Sequence, residues 1–127
     1  MSVRTPLARV EGLGAAHRGT EHFTRQRATA VALAPLSIWF VCSALALVGA
    51  DRTAAAEFLA QPLNAVLMAL FIIAGLIHMA TGLQVVIEDY VHNEGGKVAL
   101  LLLNKFFAWV VGAGAIYALL KIALLRG

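Results

Sequence analysis

Three long apolar stretches, over about residues 28–50, 62–87 and 98–125, the last with Lys105 near its start and Lys121 near its end, leave this 127-residue chain few ways to fold. Each exceeds the roughly 20 residues that carry a helix across a hydrocarbon core about 30 Å thick. In lipid the backbone must satisfy its own N–H and C=O groups, and a helix does so without help from neighbours. No stretch alternates at period two, so strands of a membrane barrel are not expected. The sequence predicts an all-α membrane protein with a three-helix transmembrane domain over residues 27–127, preceded by an N-terminal segment over 1–26. Composition agrees, at 61% hydrophobic and 13% charged, about half the charge of an ordinary soluble domain. No internal repeat or low-complexity tract interrupts the pattern.

The net charge of +3 does not point to nucleic acid, because of where the basic residues lie. Arg4, Arg9, Arg18, Arg25 and Arg27 all precede the first apolar stretch, whereas the segment between the first two stretches has only Arg52. By the positive-inside rule the N-terminus is cytoplasmic. The second loop, with Glu88, Asp89 and Glu94 against Lys97, adds little to that rule. The basic N-terminal segment resembles an organelle transit peptide in its arginines, but Glu11 and Glu21 argue against one. It is too polar for a secretory signal. A bacterial inner membrane is therefore expected, with the mitochondrial inner membrane as the alternative.

One ionisable side chain stands inside the second stretch: His78. A titratable group at that depth is costly and marks a candidate functional site. The residues three and four positions away are Ala74, Gly75, Thr81 and Gly82. All are small, which predicts a depression around the imidazole wide enough for a flat macrocycle. Imidazole is a usual axial ligand of haem iron. The competing reading is a histidine hydrogen-bonded to a neighbouring helix. His17, His22 and His92 all fall outside the apolar stretches. If a haem has two histidine ligands, the second must therefore come from another chain.

Asp89-Tyr90 closes the same stretch eleven residues after His78. Eleven residues are three turns plus about 20°, so His78 and Asp89 share a helix face about 16 Å apart. A phenol at the membrane surface can donate to a quinone carbonyl, and a carboxylate beside it can orient groups or pass protons. Equally, interfacial tyrosine is a common belt residue. Arg27 can snorkel at the boundary, or pair with a carboxylate such as a haem propionate. Gly112 to Ala115 form a small-residue stripe that lets another helix approach, in this chain or in another. Cys42 is a single cysteine within the first stretch and reads as a small apolar packing residue.

The run His78-Met79-Ala80-Thr81-Gly82-Leu83-Gln84-Val85-Val86-Ile87-Glu88-Asp89-Tyr90 resembles the His-x10-Asp-Tyr signature of the smaller hydrophobic membrane anchor of succinate dehydrogenase (respiratory complex II). Arg27-Ala28-Thr29-Ala30 is similar to that family's motif at the start of its first helix. The resemblance covers about residues 19–125, and the residues before 19 match no pattern of the family. It implies a haem b axial ligand at His78, and a ubiquinone site that includes Tyr90 and Asp89. It further implies that Arg27 and His22 lie near the haem propionates. The implied partners are a second, cytochrome b-type membrane anchor, an iron–sulfur subunit and a flavoprotein subunit, joined in a heteromeric helix bundle. The chain has no flavin fingerprint and no cysteine cluster, so it is expected to be a non-catalytic subunit of an oxidoreductase of the tricarboxylic acid cycle and electron transport. Two alternatives belong to other classes. One is the b-type cytochrome anchor of a different membrane dehydrogenase. The other is a small proton-coupled transporter component with His78 as relay, although neither repeats nor broken helices favour it.

Overall fold

The computed structural model describes residues 16–126, with side chains from 20 to 125. Four helices follow one another: α1 (Ala16–Ala46), α2 (Arg52–Ala60), α3 (Pro62–Tyr90) and α4 (Glu94–Arg126). There is no strand among the described residues. Thr20–Ala46, Pro62–Tyr90 and Glu94–Leu125 are long and apolar enough to cross a bilayer. At 27, 29 and 32 residues, each is about 40 Å or more at 1.5 Å per residue. Each therefore reaches past the hydrocarbon into the headgroup region at its ends.

Two boundaries differ from the sequence expectation. First, α1 begins at Ala16, so the division at residues 26 and 27 falls inside a helix, and Arg18, Arg25 and Arg27 ride on its first turns. Hydropathy stops where charge begins, but a helix of Arg, Gln and Ala has no reason to stop there. Residues 1–15 of the expected N-terminal segment, with Arg4 and Arg9, lie outside the described residues. Second, the expected first loop contains α2. Asp51 caps it, its carboxylate accepting from Ala54 N at 2.8 Å, and an Ala54-Ala55-Ala56 run sustains it. Gln61 then turns extended at φ −64°, ψ 130°, and Pro62 opens α3 at its first turn, where a missing N–H costs nothing. Before α2, the chain leaves α1 through Gly49 at φ +82°, a left-handed conformation that glycine adopts without a β-carbon clash.

The long helices form an open row. α3 lies in the centre, with α1 against one side and α4 against the other, while α2 packs on α3 and α4. α1 and α4 make no close backbone approach. Consequently Ile87 and Leu119 are the only hydrophobic side chains buried among the described residues. In lipid an outward leucine costs nothing, so helix association rests on close packing and interhelical hydrogen bonds rather than on apolar burial. Cys42, expected as a packing residue, is exposed, because a row this thin turns most of α1 outward.

Both seams follow that logic. Along α1–α3, the antiparallel helices meet through Gly82 and Gln26, where a β-carbon on the glycine would lie 3.5 Å from Gln26 Nε2. They meet again at Gly75, where it would lie 4.0 Å from Leu33 Cδ2. Farther along, Phe40 stacks on Phe71 with centroids 4.7 Å apart and planes 13° apart. Along α3–α4, the buried Asn104 donates from Nδ2 to Ala80 O at 2.8 Å. At the α2 end, buried Asn64 donates to Phe58 O at 3.0 Å and to Gln61 Oε1 at 3.1 Å. The small-residue stripe divides between inside and outside. A β-carbon on Gly112 would stand 3.0 Å from Leu76 Cδ1, whereas one on Gly114 would meet nothing within 4 Å. Gly112→Val should therefore crowd Leu76, whose side chain must shift for α4 to keep its place on α3. Overpacking typically costs about 1–3 kcal/mol, read as a lowered midpoint of thermal inactivation in the solubilised protein.

Candidate functional site

The row brings the sequence candidates to one helix and one end. α3 is continuous from Pro62 to Tyr90, so His78 stands near its middle and Asp89 and Tyr90 at its C-terminal end. Because α1 runs antiparallel to α3, the first turns of α1, with His22, Arg25 and Arg27, lie at the end that carries Asp89 and Tyr90.

His78 does not sit in an open depression. Gly75 and Gly82 face Leu33 and Gln26 of α1, and Thr81 is buried with its hydroxyl donating to Ile77 O at 2.8 Å. The small residues around the imidazole admit a neighbouring helix instead of leaving a gap for a macrocycle. Small side chains say that something comes close; they do not say what.

The close approach has a consequence for the ring. His78 Nδ1 lies 3.1 Å from Thr29 Oγ1, so the histidine does bond to a neighbouring helix, as one of the two readings anticipated. That bond engages one ring nitrogen and leaves the other. His78 remains partly exposed, as an imidazole must be to ligate a group lying outside the chain. Among the described residues no cluster of three or more His, Cys, Asp or Glu forms. Among the described residues, what the chain offers a metal centre near the middle of α3 is the one unbonded ring nitrogen of His78. This donor fits haem as one axial ligand at the chain's surface, and does not fit a haem enclosed by this chain alone.

The α1 candidates separate by face. His22 precedes Thr29 by seven residues, about 20° off its face and roughly 10 Å along the axis. It is half-buried and lies on the His78 side. Arg27 is about 160° from Thr29 around the helix. Its guanidinium lies over the Phe23 ring, 5.0 Å from the centroid, and must leave that ring to reach the His78 side.

At the α3 end, Asp89 and Tyr90 are both exposed, Tyr90 at 78%. The helix closes with Val91 N donating to Ile87 O at 3.0 Å, and His92 Nδ1 donates to Tyr90 O at 3.1 Å. The phenol hydroxyl and the Asp89 carboxylate project from the end of the row with no described side chain over them. Thr29 is the site residue that sequence reasoning missed. It stands within Arg27-Ala28-Thr29-Ala30, but nothing in one dimension shows which residue of that run faces His78.

A model of the succinate dehydrogenase/fumarate reductase transmembrane subunit family matches residues 1–112. That match includes the residues before 19, in which no family pattern was legible. Among curated proteins, the chain is 34% identical to the succinate dehydrogenase hydrophobic membrane anchor subunit of Paracoccus denitrificans over 120 residues, 94% of this chain and 92% of that one. It is 30% identical to the subunit of the same name from Rickettsia bellii over 105 residues, 83% of this chain and 84% of that one. The Rickettsia felis subunit is 30% identical over 111 residues, covering 87% and 92%. No solved structure matches the chain. The chain belongs to the succinate dehydrogenase/fumarate reductase transmembrane-subunit family, as a membrane anchor and not itself a catalyst.

Proposed function

We propose that the chain anchors a succinate:ubiquinone oxidoreductase in a bacterial inner membrane, with its N-terminus cytoplasmic. In this reading it shares a b haem with a second membrane subunit and helps form the ubiquinone site. The observation that carries this is His78, partly exposed near the middle of α3 with one ring nitrogen bound to α1 and the other available. An open three-helix row with one ligand nitrogen makes half of a bis-histidine site, so the second ligand and the missing wall come from a partner. The names of the Paracoccus and Rickettsia relatives support succinate dehydrogenase over another dehydrogenase or a transporter.

Each residue has a task in this proposal. His78 holds the haem iron. His22, on the same side of α1, is placed toward a propionate, and Arg27 can join it on leaving Phe23. When bound, haem supplies one-electron redox chemistry at that depth. Tyr90 donates a hydrogen bond to the quinone headgroup, and Asp89 orients it or provides a proton. An interfacial position suits a ligand with a polar head and a lipid-soluble tail. The flavoprotein and iron–sulfur subunits dock on the cytoplasmic face, where α3 ends in Asp89 and Tyr90.

Purification from native membranes through a tag on this chain tests the proposal. Three further polypeptides are expected, a flavoprotein, an iron–sulfur protein and a second anchor, together with a b-type reduced-minus-oxidised spectrum. A stable haem-loaded preparation of this chain alone would contradict the shared site. Co-purification with a different dehydrogenase would reassign the anchor.

A further inference from the structure

The hydrogen-bond partners around Thr29 decide which nitrogen of His78 carries its proton. Thr29 Oγ1 lies 2.9 Å from Arg25 O, 3.1 Å from Gln26 O and 3.1 Å from His78 Nδ1. Both carbonyls only accept, and a hydroxyl has one proton to give. If that proton goes to the α1 carbonyls, Oγ1 has lone pairs left and His78 Nδ1–H donates to one of them, so both donors are used. If Thr29 instead donated to a bare Nδ1, the carbonyl bonds would be lost and the His78 proton would sit on Nε2. The first arrangement makes one more hydrogen bond. At bilayer depth an unmade bond is not replaced by water.

We propose that Thr29 is the positioning residue for His78: its hydroxyl holds the imidazole in the Nδ1-protonated tautomer and presents Nε2 as the free ligand nitrogen. Gly75 and Gly82 face α1 on either side of the ring, where a β-carbon would stand 4.0 Å from Leu33 Cδ2 and 3.5 Å from Gln26 Nε2, so α1 and α3 are already in contact where the bond forms. The functional weight rests on the haem reading above, because a ligand imidazole whose other nitrogen donates to an oxygen is oriented and made more basic. The tautomer itself does not depend on that reading.

The test uses the whole purified complex with Thr29→Val, which keeps the shape and deletes the hydroxyl, and Thr29→Ser, which restores it. Losing the Nδ1–H bond makes the imidazole a weaker donor to ferric iron. Thr29→Val is expected to keep much of its haem and to shift the ferric-to-ferrous ratio at fixed potential about tenfold toward ferrous. For one electron that is about 59 mV upward in midpoint potential. Thr29→Ser should return close to the parent value. In parallel, 15N NMR of the dithionite-reduced, histidine-labelled complex reads the tautomer directly, the His78 signal being the one lost in His78→Ala. An Nδ1-protonated ring is expected. An Nε2-protonated ring, or haem retained in Thr29→Val at an unchanged midpoint, would overturn the inference. If His78→Ala leaves the haem unchanged while the NMR still shows the Nδ1–H form, the haem reading fails and the tautomer assignment stands.

Discussion

In the assembled complex, His78→Ala is expected to lower haem occupancy at least tenfold, or to convert what remains from a low-spin to a high-spin spectrum. Losing an outer-shell partner of a metal ligand already costs about 10–100-fold in affinity, and here the ligand itself goes. No other described histidine can replace it. His22 rides near the start of α1 and His92 follows the end of α3. The measurement is haem per flavin with a reduced-minus-oxidised spectrum and a redox titration. An unchanged spectrum and midpoint in that variant would remove His78 from the site. A second variant separates the two roles of the ring. The amide N–H of His78→Asn stands close to where Nδ1–H was and can still donate to Thr29, but nothing replaces Nε2. If His78 only fastened α3 to α1, the asparagine variant would keep its haem and its stability. If His78 is the ligand, that variant stays assembled and loses haem as the alanine variant does.

The three membrane crossings were legible because a bilayer asks one crude thing of a sequence, about 20 consecutive apolar residues. What one dimension could not give is how those helices face one another. The small residues around His78 were visible, but Gly75 and Gly82 turn out to receive Leu33 and Gln26, and only the pairing of α1 with α3 shows it. The same pairing lifts Thr29 out of a four-residue run and sets Arg27 on the far face of α1. α2 was missed for a simpler reason. At nine residues it is too short for hydropathy to register, although an aspartate cap before a run of alanines was there to be seen. The start of α1 was hidden because charge ends an apolar stretch without ending a helix.

The open row also accounts for what this subunit lacks by itself. α3 is covered on two sides, by α1 and α4, and α1 and α4 do not close over the rest. The proposed shared haem would gain from such an arrangement, since His78 is partly exposed on a row that a partner can complete. Asp89 and Tyr90, proposed for the quinone site, follow the same logic at the end of the row, exposed and without described partners of their own.

Tyr90→Phe is the second substitution with a large expected effect, and its signature is a split between two activities. The change keeps the ring at the end of α3 and deletes one donor. A hydrogen bond of this kind contributes on the order of 1 kcal/mol net, more where the partner is desolvated. Each ~1.4 kcal/mol lost from the transition state is tenfold in rate. Succinate-to-quinone turnover should therefore fall several-fold or more. Succinate oxidation with an artificial acceptor that draws electrons upstream should stay near the parent rate, because the proposal places the flavin in another polypeptide. Asp89→Asn should give the same split if the carboxylate orients or protonates the headgroup. Tyr90 is 78% exposed and its hydroxyl bonds no described residue, so a fall in quinone turnover alone, with the upstream activity intact, points to the quinone step rather than to a damaged fold. A parallel fall in both activities would identify Tyr90 as an interfacial anchor on which assembly depends, and would leave the quinone site to be sought elsewhere.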